Sequence, residues 1–351
     1  MKNILPRVQR LNAGKPILKP VPTHPWENRV TFNPACVFVE KSGRLTAIIS
    51  RLPFTERIKA NLRREEGLCF LLYRAQGKQT SKYDYRRSAI GLAILSPELK
   101  LLARHTEPVI YPDQDYDNLG VEDGRITKVG NRYVLVYTAY SSATPENKIR
   151  IALASTSDFV NWEKHGLLTG EFNRINNKNG MIFEKRVGKR YLMLHRPMEG
   201  EHPMTIHWAE ADDIFGEWTS RGVLMEPLPD SAFMDIWMGG GAPPLSVGKN
   251  KFLILYHIGK RKWNGDREYD LGIAVGDFGT ETIIMKRNEP LLRPETKTET
   301  TPVAELGLAN VLFVCGAYFY NGDLYFPYAG ADSVVVGGKI AKSEVQKYLT
   351  L

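Results

Sequence analysis

The sequence predicts an all-β protein, and within that class a five-bladed β-propeller. Five segments share one pattern, a turn residue followed by a hydrophobic strand that ends in an aromatic residue or a histidine. Successive segments are about 60 residues apart, which leaves room for the four short strands of a propeller blade. No window of 12 or more residues shows a convincing helical period before KSEVQKYL at 342–349.

Each repeat is defined by an anchor residue near the end of its strand. The five segments are 67–74, 130–138, 188–196, 248–257 and 321–329, with anchors Tyr73, Tyr137, His195, Tyr256 and Tyr328. Successive anchors are 64, 58, 61 and 72 residues apart, and two of them are followed by a shared Asp-aromatic-Trp-Gly element. A pair of β-sandwiches with chance hairpins is the alternative. The regular spacing and the shared element favour the propeller.

We expect residues 1–351 to form one catalytic propeller domain. Residues 1–20 would be an N-terminal extension, and residues 340–351 a C-terminal segment that closes the ring or forms a short helix. The segment WENRVTFNPACVFVEKSGRLTAII precedes the first anchor and is expected to supply strands of blade one.

Composition and charge argue against several classes of protein. No apolar run reaches the ~18–20 residues that span a bilayer, and the N-terminus lacks the apolar core of a signal peptide, so we expect a cytoplasmic protein without a membrane partner. Cys36, Cys69 and Cys315 form neither a disulfide framework nor a metal cluster. The net charge is +8, but the basic residues are interleaved with acids, which argues against nucleic acid and favours a small anion or a basic surface.

The residue after each anchor is expected to face a central channel, because equivalent positions of the innermost strands surround the propeller axis. These residues are Arg74, Thr138, Arg196, His257 and Ala329. Three of the five can carry positive charge and could bind an anion through charge-assisted hydrogen bonds. The alternative is that each pairs with a neighbouring acid at the rim.

Further polar residues lie near the predicted strand ends. Asn33, Lys178 and Asp332 occur in the turn-rich stretches FNPA, NKNGMIF and GADSVVVG. The glycines of MDIWMGGGAPP lack the pattern of a P-loop. They would instead let the backbone and Trp237 approach a sugar ring closely.

The adjacent carboxylates Glu122 and Asp123, with Arg125, directly precede the apolar segment YVLVYTAY. The chain has no G-x-S-x-G elbow and no zinc-binding H-E-x-x-H or CxxC spacing. Carboxylates in a basic, aromatic-lined funnel indicate glycosidic-bond chemistry that needs no metal or cofactor. A solvated turn is the alternative reading of these charges.

With these motifs in place, the sequence resembles glycoside hydrolase family 130, the β-mannoside phosphorylases and β-mannosidases, over roughly residues 15–340. The resemblance rests on the order and spacing of HPWENRVTFNPA, LLYRA, GVEDGRIT, KIRIALASTSDFVNWEKHG, NKNGMIFEKRVGKRYLMLHRP, GGGAPP with LYH, and GAD. It implies a five-bladed propeller in which Asp123 is the catalytic acid, in some members acting through a sugar hydroxyl. Lys178, Arg196 and His257 look like members of the phosphate clamp. Substrate binding is assigned to Asn33, Arg74, Glu122, Arg125, Trp237 and Asp332.

The sequence departs from the family pattern at two positions. Gly124 replaces the usual proline after the Glu-Asp pair, and Trp237 stands where the phosphorylases commonly have a lysine. Losing a cation would weaken phosphate binding and favour water as the nucleophile. Asp235 is then the nearest candidate for the base of an inverting hydrolase, which would hold it about 6.5–9.5 Å from Asp123.

The expected function is therefore inverting phosphorolysis of terminal β-mannosides of manno-oligosaccharides, giving mannose 1-phosphate. Inorganic phosphate is the co-substrate in this reading, and an oligosaccharide is the other partner. An inverting β-mannosidase and a non-catalytic sugar-binding propeller are the alternatives. The linkage, the acceptor sugar and assembly into a homo-oligomer stay open. The basic insert 77–88 is expected near the channel mouth, unless it is a solvated surface hairpin.

Overall fold

The strands form five separate sheets arranged in a ring, which confirms the predicted all-β, five-bladed propeller. The structure is a computed structural model that describes residues 5–79, 87–143, 148–286 and 289–350. Residues 80–86 of the basic insert lie outside the described residues.

The chain enters the ring through β1 (Val8–Arg10) and a 3₁₀ turn at Leu11–Gly14, and the blades then follow in sequence order. Blade one comprises β2 (Val30–Glu40), β3 (Gly67–Gln76), β4 (Ala89–Leu95) and β5 (Leu101–Arg104). Blade two comprises β6 (Gly120–Val129), β7 (Arg132–Tyr140), β8 (Ile149–Thr156) and β9 (Glu163–Leu167). Blade three, after a 3₁₀ turn at Glu171–Asn173, comprises β10 (Asn177–Ile182), β11 (Tyr191–Pro197), β12 (Ile206–Ala211) and β13 (Thr219–Met225).

The last two blades each contain a short additional strand. Blade four comprises β14 (Asp235–Gly240), β15 (Leu245–Ser246), β16 (Lys251–Arg261), β17 (Arg267–Asp277) and β18 (Thr282–Lys286). Blade five contains β19 (Leu312–Val314), β20 (Tyr318–Tyr320), β21 (Asp323–Gly330) and β22 (Val334–Ile340). The helices within the described residues are α1 (Gly43–Arg51), α2 (Glu56–Leu62), α3 (Lys297–Thr300) and α4 (Lys342–Leu349).

The ring is closed by the beginning of the chain rather than by its end. Strand β1 pairs antiparallel with β22, with Val8 opposite Ile340. Arg10 then donates from Nε to Oε1 of the buried Glu299 at 2.8 Å. Residues from the expected N-terminal extension therefore form the outer edge of blade five, and the C-terminal segment forms α4.

The end of the segment expected to supply strands of blade one is helical instead. Residues 30–40 form β2 as expected, but RLTAII lies in α1. Leu45, Ile48 and Ile49 are buried along one side of this helix, and Ser42 caps it by accepting from the amide of Leu45. A nine-residue helix is too short to show its period in a 12-residue window.

No helix in the described part of the chain is long and apolar enough to cross a membrane.

The anchors lie on the second strand of each sheet, so the expectation that they mark the innermost strands was wrong. The innermost strands are β2, β6, β10, β14 and β19, each paired with the strand that carries an anchor. All five anchors are buried. The strongest hydrophobic signal thus comes from the strand that is covered on both sides, not from the strand beside the channel.

Three tyrosine anchors have a shared structural role. Tyr73, Tyr137 and Tyr328 donate their hydroxyl hydrogen bonds to buried carboxylates, at 2.7, 3.1 and 2.7 Å. The acceptors are Glu27, Asp117 and Glu299, which are themselves paired with Arg104, Lys164 and Arg10. A buried carboxylate is tolerated only when it is paired and hydrogen-bonded. The aromatic anchors therefore attach the connections between blades to the sheets.

The residues after the anchors lie at one level of the ring. On the innermost strands they are opposite Phe32, Glu122, Lys178, Gly239 and Phe313, respectively, from blade one to blade five. This common register brings Arg74, Arg196 and His257 to the same depth as the ends of the innermost strands. The candidate site is built at that level.

Candidate active site

Three innermost strands carry the same irregularity at the level of the site. The register shifts between Phe32 and Ala35 in β2, between Glu122 and Arg125 in β6, and between Lys178 and Met181 in β10. Within these β-bulges Asn33, Asp123 and Asn179 have φ angles of 45°, 47° and 57°. Asn and Asp tolerate this left-handed region better than other non-glycine residues. The bulges thus place three short polar side chains at equivalent positions.

Asp123 is buried and receives two donors on the same carboxylate oxygen. Asn33 donates from Nδ2 to Oδ1 at 2.7 Å, and Arg74 donates from Nη1 to the same atom at 3.1 Å. Burial opposes ionisation of this carboxyl, but the positive charges of Arg74 and Arg125 outweigh it and lower the pKa of Asp123 below its ordinary value. Asp123 is therefore ionised in the free protein at neutral pH.

Arg74 also binds the second acid of the pair, donating from Nη2 to Oε1 of Glu122 at 2.7 Å. Its Nε donates to Oγ of Ser88 at 2.7 Å. The sequence assigned Arg74 to substrate binding, and in the free protein it is the cation that holds both carboxylates. Such a fixed guanidinium fork defines the positions of both acids.

Arg125 holds the backbone of the bulge and connects it to blade four. Its Nη1 donates to the carbonyl oxygen of Asp123 at 2.5 Å. Its Nε and Nη2 donate to the carbonyl oxygens of Gly241 and Gly240, each at 3.1 Å. A fully buried arginine satisfied by carbonyl groups fixes the position of the carboxylate at residue 123 from behind.

Packing is the main reason why glycines are needed in the glycine-rich stretch. A Cβ atom at Gly239 would lie 2.3 Å from Nε2 of His257, and one at Gly240 would lie 1.6 Å from Cε of Met181. The glycines therefore give room to the histidine and to the core, rather than to a ligand as the sequence indicated. Gly124 is similar, because a Cβ there would lie 2.7 Å from Cδ1 of Leu135.

Asp332 is a second carboxyl beside the acid, half-buried as a residue but with a buried Oδ1 atom. It follows β21 with a φ of 45°, and its Oδ1 has no hydrogen-bond partner among the described residues. Burial, reinforced by the negative charge of Asp123, raises the pKa of Asp332 to about 7. Two neighbouring carboxyl groups thus have pKa values shifted in opposite directions, which is typical of acid–base sites.

A cluster of cationic groups occupies blades three and four. Arg196 is buried, and its Nη1 lies 3.4 Å from Nε2 of His257. Burial, with repulsion from Arg196, lowers the pKa of Lys178 to about 8. Burial and the same cations hold the pKa of His257 well below its ordinary value, so this imidazole is neutral and accepts from Arg196.

Donors in this cluster are left without acceptors. Nε of Arg196 and Nδ1 of His257 are buried and have no hydrogen-bond partner in the described part of the chain. Because Nε2 of His257 accepts, Nδ1 carries the proton and is also a donor. Buried, unpartnered donors, one of them on a positively charged guanidinium, are costly unless an acceptor such as an anion completes them.

A cavity of about 470 Å³ opens beside these cations. Its lining includes Lys178, Arg196, Trp237, Tyr269 and Asp235. Trp237 is buried and meets Tyr269 edge to face, with ring centroids 5.4 Å apart. Asp235 is apart from the other acids at the cavity wall, with a half-exposed side chain and an ion pair to Arg261 at 3.4 Å.

The structure thus groups the sequence-predicted residues into two clusters. The acid cluster consists of Asp123 with Asn33, Arg74, Glu122 and Asp332. The cationic cluster consists of Lys178, Arg196 and His257, and Arg125 lies between the two clusters. Among the cavity residues that sequence reasoning missed are Arg261, Arg267 and Tyr269. The Asn264–Gly265 turn predicts a hairpin that places Arg267 opposite Arg261, but it does not indicate that this hairpin borders a cavity.

Comparison with protein families gives a match over most of the chain. The model of glycoside hydrolase family 130, described as beta-1,4-mannooligosaccharide phosphorylase, matches residues 59–351. The chain belongs to glycoside hydrolase family 130. It is therefore an enzyme of the glycoside-phosphorylase type, and this membership disfavours a purely non-catalytic propeller.

Two curated relatives in this family come from Thermoanaerobacter sp. (strain X514). A 1,2-beta-oligomannan phosphorylase is 26% identical over 331 residues, covering 94% of this chain and 95% of the relative. A beta-1,2-mannobiose phosphorylase is 27% identical over 343 residues, covering 97% of this chain and 99% of the relative.

Solved structures support the fold of this family 130 protein. The beta-1,2-mannobiose phosphorylase of Listeria innocua, in complex with beta-1,2-mannobiose, has a TM-score of 0.74 at 21% identity, with 98% of this chain and 99% of that chain covered. A glycosyl hydrolase from Bacteroides ovatus has a TM-score of 0.71 at 22% identity, covering 96% and 94%.

Proposed function

We propose that this protein cleaves terminal β-mannosidic linkages of manno-oligosaccharides by inverting phosphorolysis and releases mannose 1-phosphate. The observation that carries the proposal is the buried cationic cluster with its unpartnered donors, Nε of Arg196 and Nδ1 of His257. Inorganic phosphate, as second substrate, supplies the acceptors that this cluster lacks. The curated relatives favour a β-1,2 linkage, whereas the description of the family model refers to β-1,4.

In this reaction Asp123 delivers a proton to the glycosidic oxygen, and phosphate attacks the anomeric carbon from the opposite face. The carbon–oxygen bond to the leaving sugar breaks as the bond to a phosphate oxygen forms. The lowered pKa of Asp123 in the free protein requires a compensating change on binding. Phosphate beside Lys178 and Arg196 offsets their positive charge, and this raises the tendency of the nearby carboxyl to hold a proton.

Asp332 is a candidate for holding that proton before phosphate binds. Its pKa of about 7 leaves it partly protonated at neutral pH, within electrostatic range of Asp123. In such a coupled pair the proton belongs to both groups rather than to one residue. Binding of phosphate and sugar then determines on which carboxyl the proton resides.

A β-mannoside hydrolase is the second candidate, because Asp235 lies on the wall of the same cavity and is partly exposed to water. As general base it would activate a water molecule on the face opposite Asp123.

The two candidates are separated by incubating the protein with β-1,2- and β-1,4-mannobiose, each with and without phosphate. Phosphorolysis predicts that mannose 1-phosphate forms and that turnover requires phosphate. Equal release of mannose without phosphate, with no sugar phosphate formed, would support the hydrolase instead.

Asp123→Asn tests the acid in both cases. The variant keeps the hydrogen bond from Asn33 but cannot donate a carboxyl proton, so we expect kcat/KM to fall by a factor of about 10² to 10⁴. Circular dichroism checks that the fold is retained. Activity close to that of the wild type would remove Asp123 from the mechanism.

A further inference from the structure

The opening of the cavity is lined by two arginines from one hairpin. Arg261 ends β16 and Arg267 begins β17, and the two residues are opposite each other across the strands. Both line the cavity that contains Lys178 and Arg196. The hairpin turn, where Lys262 donates its amide to the carbonyl of Asp266 at 2.8 Å, holds the two arginines at the rim.

The charges of the two arginines are compensated differently. Arg261 is paired with Asp235 through Nη1, although its Nε has no hydrogen-bond partner among the described residues. Glu268, the next residue after Arg267, is already bound by Lys260 and Lys262, at 3.4 and 3.0 Å. Within the described ranges, the side chain of Arg267 makes no hydrogen bond or ion pair with another residue, and the residue is exposed.

An unpaired arginine at the rim adds to the potential of the unpaired cations deeper in the cavity. Fields of one sign are focused by a narrow opening with protein walls, and they raise the local concentration of anions. A guanidinium group also fits phosphate directly, because its N–H groups can contact two oxygens at once. Arg267 has both the location and the free donors for this contact.

The lack of charge at residue 237 also favours a role for Arg267. Trp237 lines the same wall and supplies no charge, so the positive charge on the blade-four side of the cavity comes from Arg261 and Arg267. Arg261 is neutralised by Asp235. Of these two blade-four arginines, Arg267 is therefore the one whose charge is not compensated by a carboxylate.

We propose that Arg267 binds the phosphate co-substrate, from the rim of the cavity and opposite Lys178 and Arg196. This inference rests on the proposed phosphorolysis. It assigns to the β16–β17 hairpin a role in the choice of phosphate over water as nucleophile.

The test compares three variants of the full chain in phosphorolysis of β-1,2-mannobiose, with the phosphate concentration varied. Arg267→Gln should raise the KM for phosphate about five- to tenfold while changing the KM for mannobiose less than about twofold. Arg267→Lys keeps the charge without the planar fork and should give an intermediate value. Lys262→Gln is the matched control, because it removes one positive charge from the same hairpin outside the cavity lining, and should change the phosphate KM less than about twofold.

A binding measurement separates phosphate affinity from turnover. Inorganic phosphate alone should raise the Tm of the wild type and of Lys262→Gln, because a ligand that binds the folded state stabilises it. The rise should be clearly smaller for Arg267→Gln at the same phosphate concentration. Far-UV circular dichroism confirms the fold, which an exposed side chain should not affect.

The outcomes distinguish this inference from the proposed function. If the wild type turns over equally fast without phosphate, the phosphorolysis itself is refuted. If the wild type requires phosphate and Arg267→Gln keeps the wild-type KM and Tm response, only the role of Arg267 is refuted. An equal increase in the KM for phosphate in Arg267→Gln and Lys262→Gln would mean that phosphate responds only to the overall surface charge. That result would also overturn the proposal.

Discussion

Asn33 donates from Nδ2 to Oδ1 of Asp123 at 2.7 Å, and both residues have φ angles close to 45° in bulges of neighbouring blades. The same backbone irregularity therefore places the donor and the acceptor. Neither side chain could reach the other from a regular strand, where successive residues point to opposite faces. The position of the catalytic carboxyl thus depends on a second left-handed residue in another blade.

Asn33→Gly tests this dependence, because glycine accepts the left-handed backbone and removes only the amide. The hydrogen bond lowers the pKa of Asp123, so its loss should raise that pKa. The limb of the kcat profile in which activity falls with increasing pH should move to higher pH. Asn179→Gly removes an equivalent amide from blade three and should leave the position of that limb unchanged. A wild-type profile for Asn33→Gly would contradict the assignment.

Asp332→Asn tests the second carboxyl through stability. Burial raises the folded-state pKa of Asp332 to about 7, above its ordinary value of 3.8. Between these pH values the folded protein holds a proton that the unfolded chain has released, so this residue destabilises the fold progressively as pH rises. The Tm of Asp332→Asn relative to the wild type should therefore increase between pH 5 and pH 8. Parallel Tm curves over that range would show that Asp332 is ionised in the folded protein.

Lys178 should give phosphate binding a pH dependence. Its pKa of about 8 means that it loses its charge in the free protein as pH rises above that value. We expect kcat/KM for phosphate to decrease above about pH 8, and Lys178→Arg, which stays charged, to shift the decrease to higher pH. Lys178→Met should raise the phosphate KM about 10- to 100-fold at neutral pH. A phosphate KM independent of this residue would place the anion elsewhere.

Gly240→Ala should destabilise the protein, because the added Cβ would lie 1.6 Å from Cε of Met181 in a buried site. Overpacking of this kind costs about 1–3 kcal/mol of unfolding free energy. Gly43→Ala is the control, since a Cβ there meets nothing within 4 Å at the beginning of α1. Denaturant unfolding of both variants measures the difference. Equal stability of the two variants would mean that Met181 moves aside without cost.

Much of the fold was predictable because the repeat is encoded in buried strands. The tyrosine anchors recur at regular spacing since three of them hydrogen-bond to buried carboxylates that precede the blades. The same hydrophobic pattern led to the wrong prediction that the strands carrying the anchors are the innermost ones. The channel-side strands are irregular and partly polar at their bulges, so their hydrophobic pattern is weaker than that of their neighbours.

The identities of the site residues could be predicted from the sequence, but most of the contacts between them could not. Motifs identified Asp123, Lys178, Arg196 and His257, and the register brings them to one level. That Arg74 binds Glu122 and Asp123, or that Gly239 makes room for His257, depends on distances between blades that no local pattern contains. Arg267 was missed because nothing in a surface hairpin distinguishes a solvated charge from one at a cavity rim.

The pairing of β1 with β22 has a consequence for the order in which this protein can become active. Val8 and Ile340 are paired although they are 332 residues apart in the chain. Contacts of such separation form late, because the loop that they close carries a large entropy cost. Asp332 lies just before β22 and contributes to the acid cluster. Because Asp332 follows Lys178, Arg196 and His257 in the chain, a chain under synthesis contains its phosphate-side residues before the last member of its acid cluster.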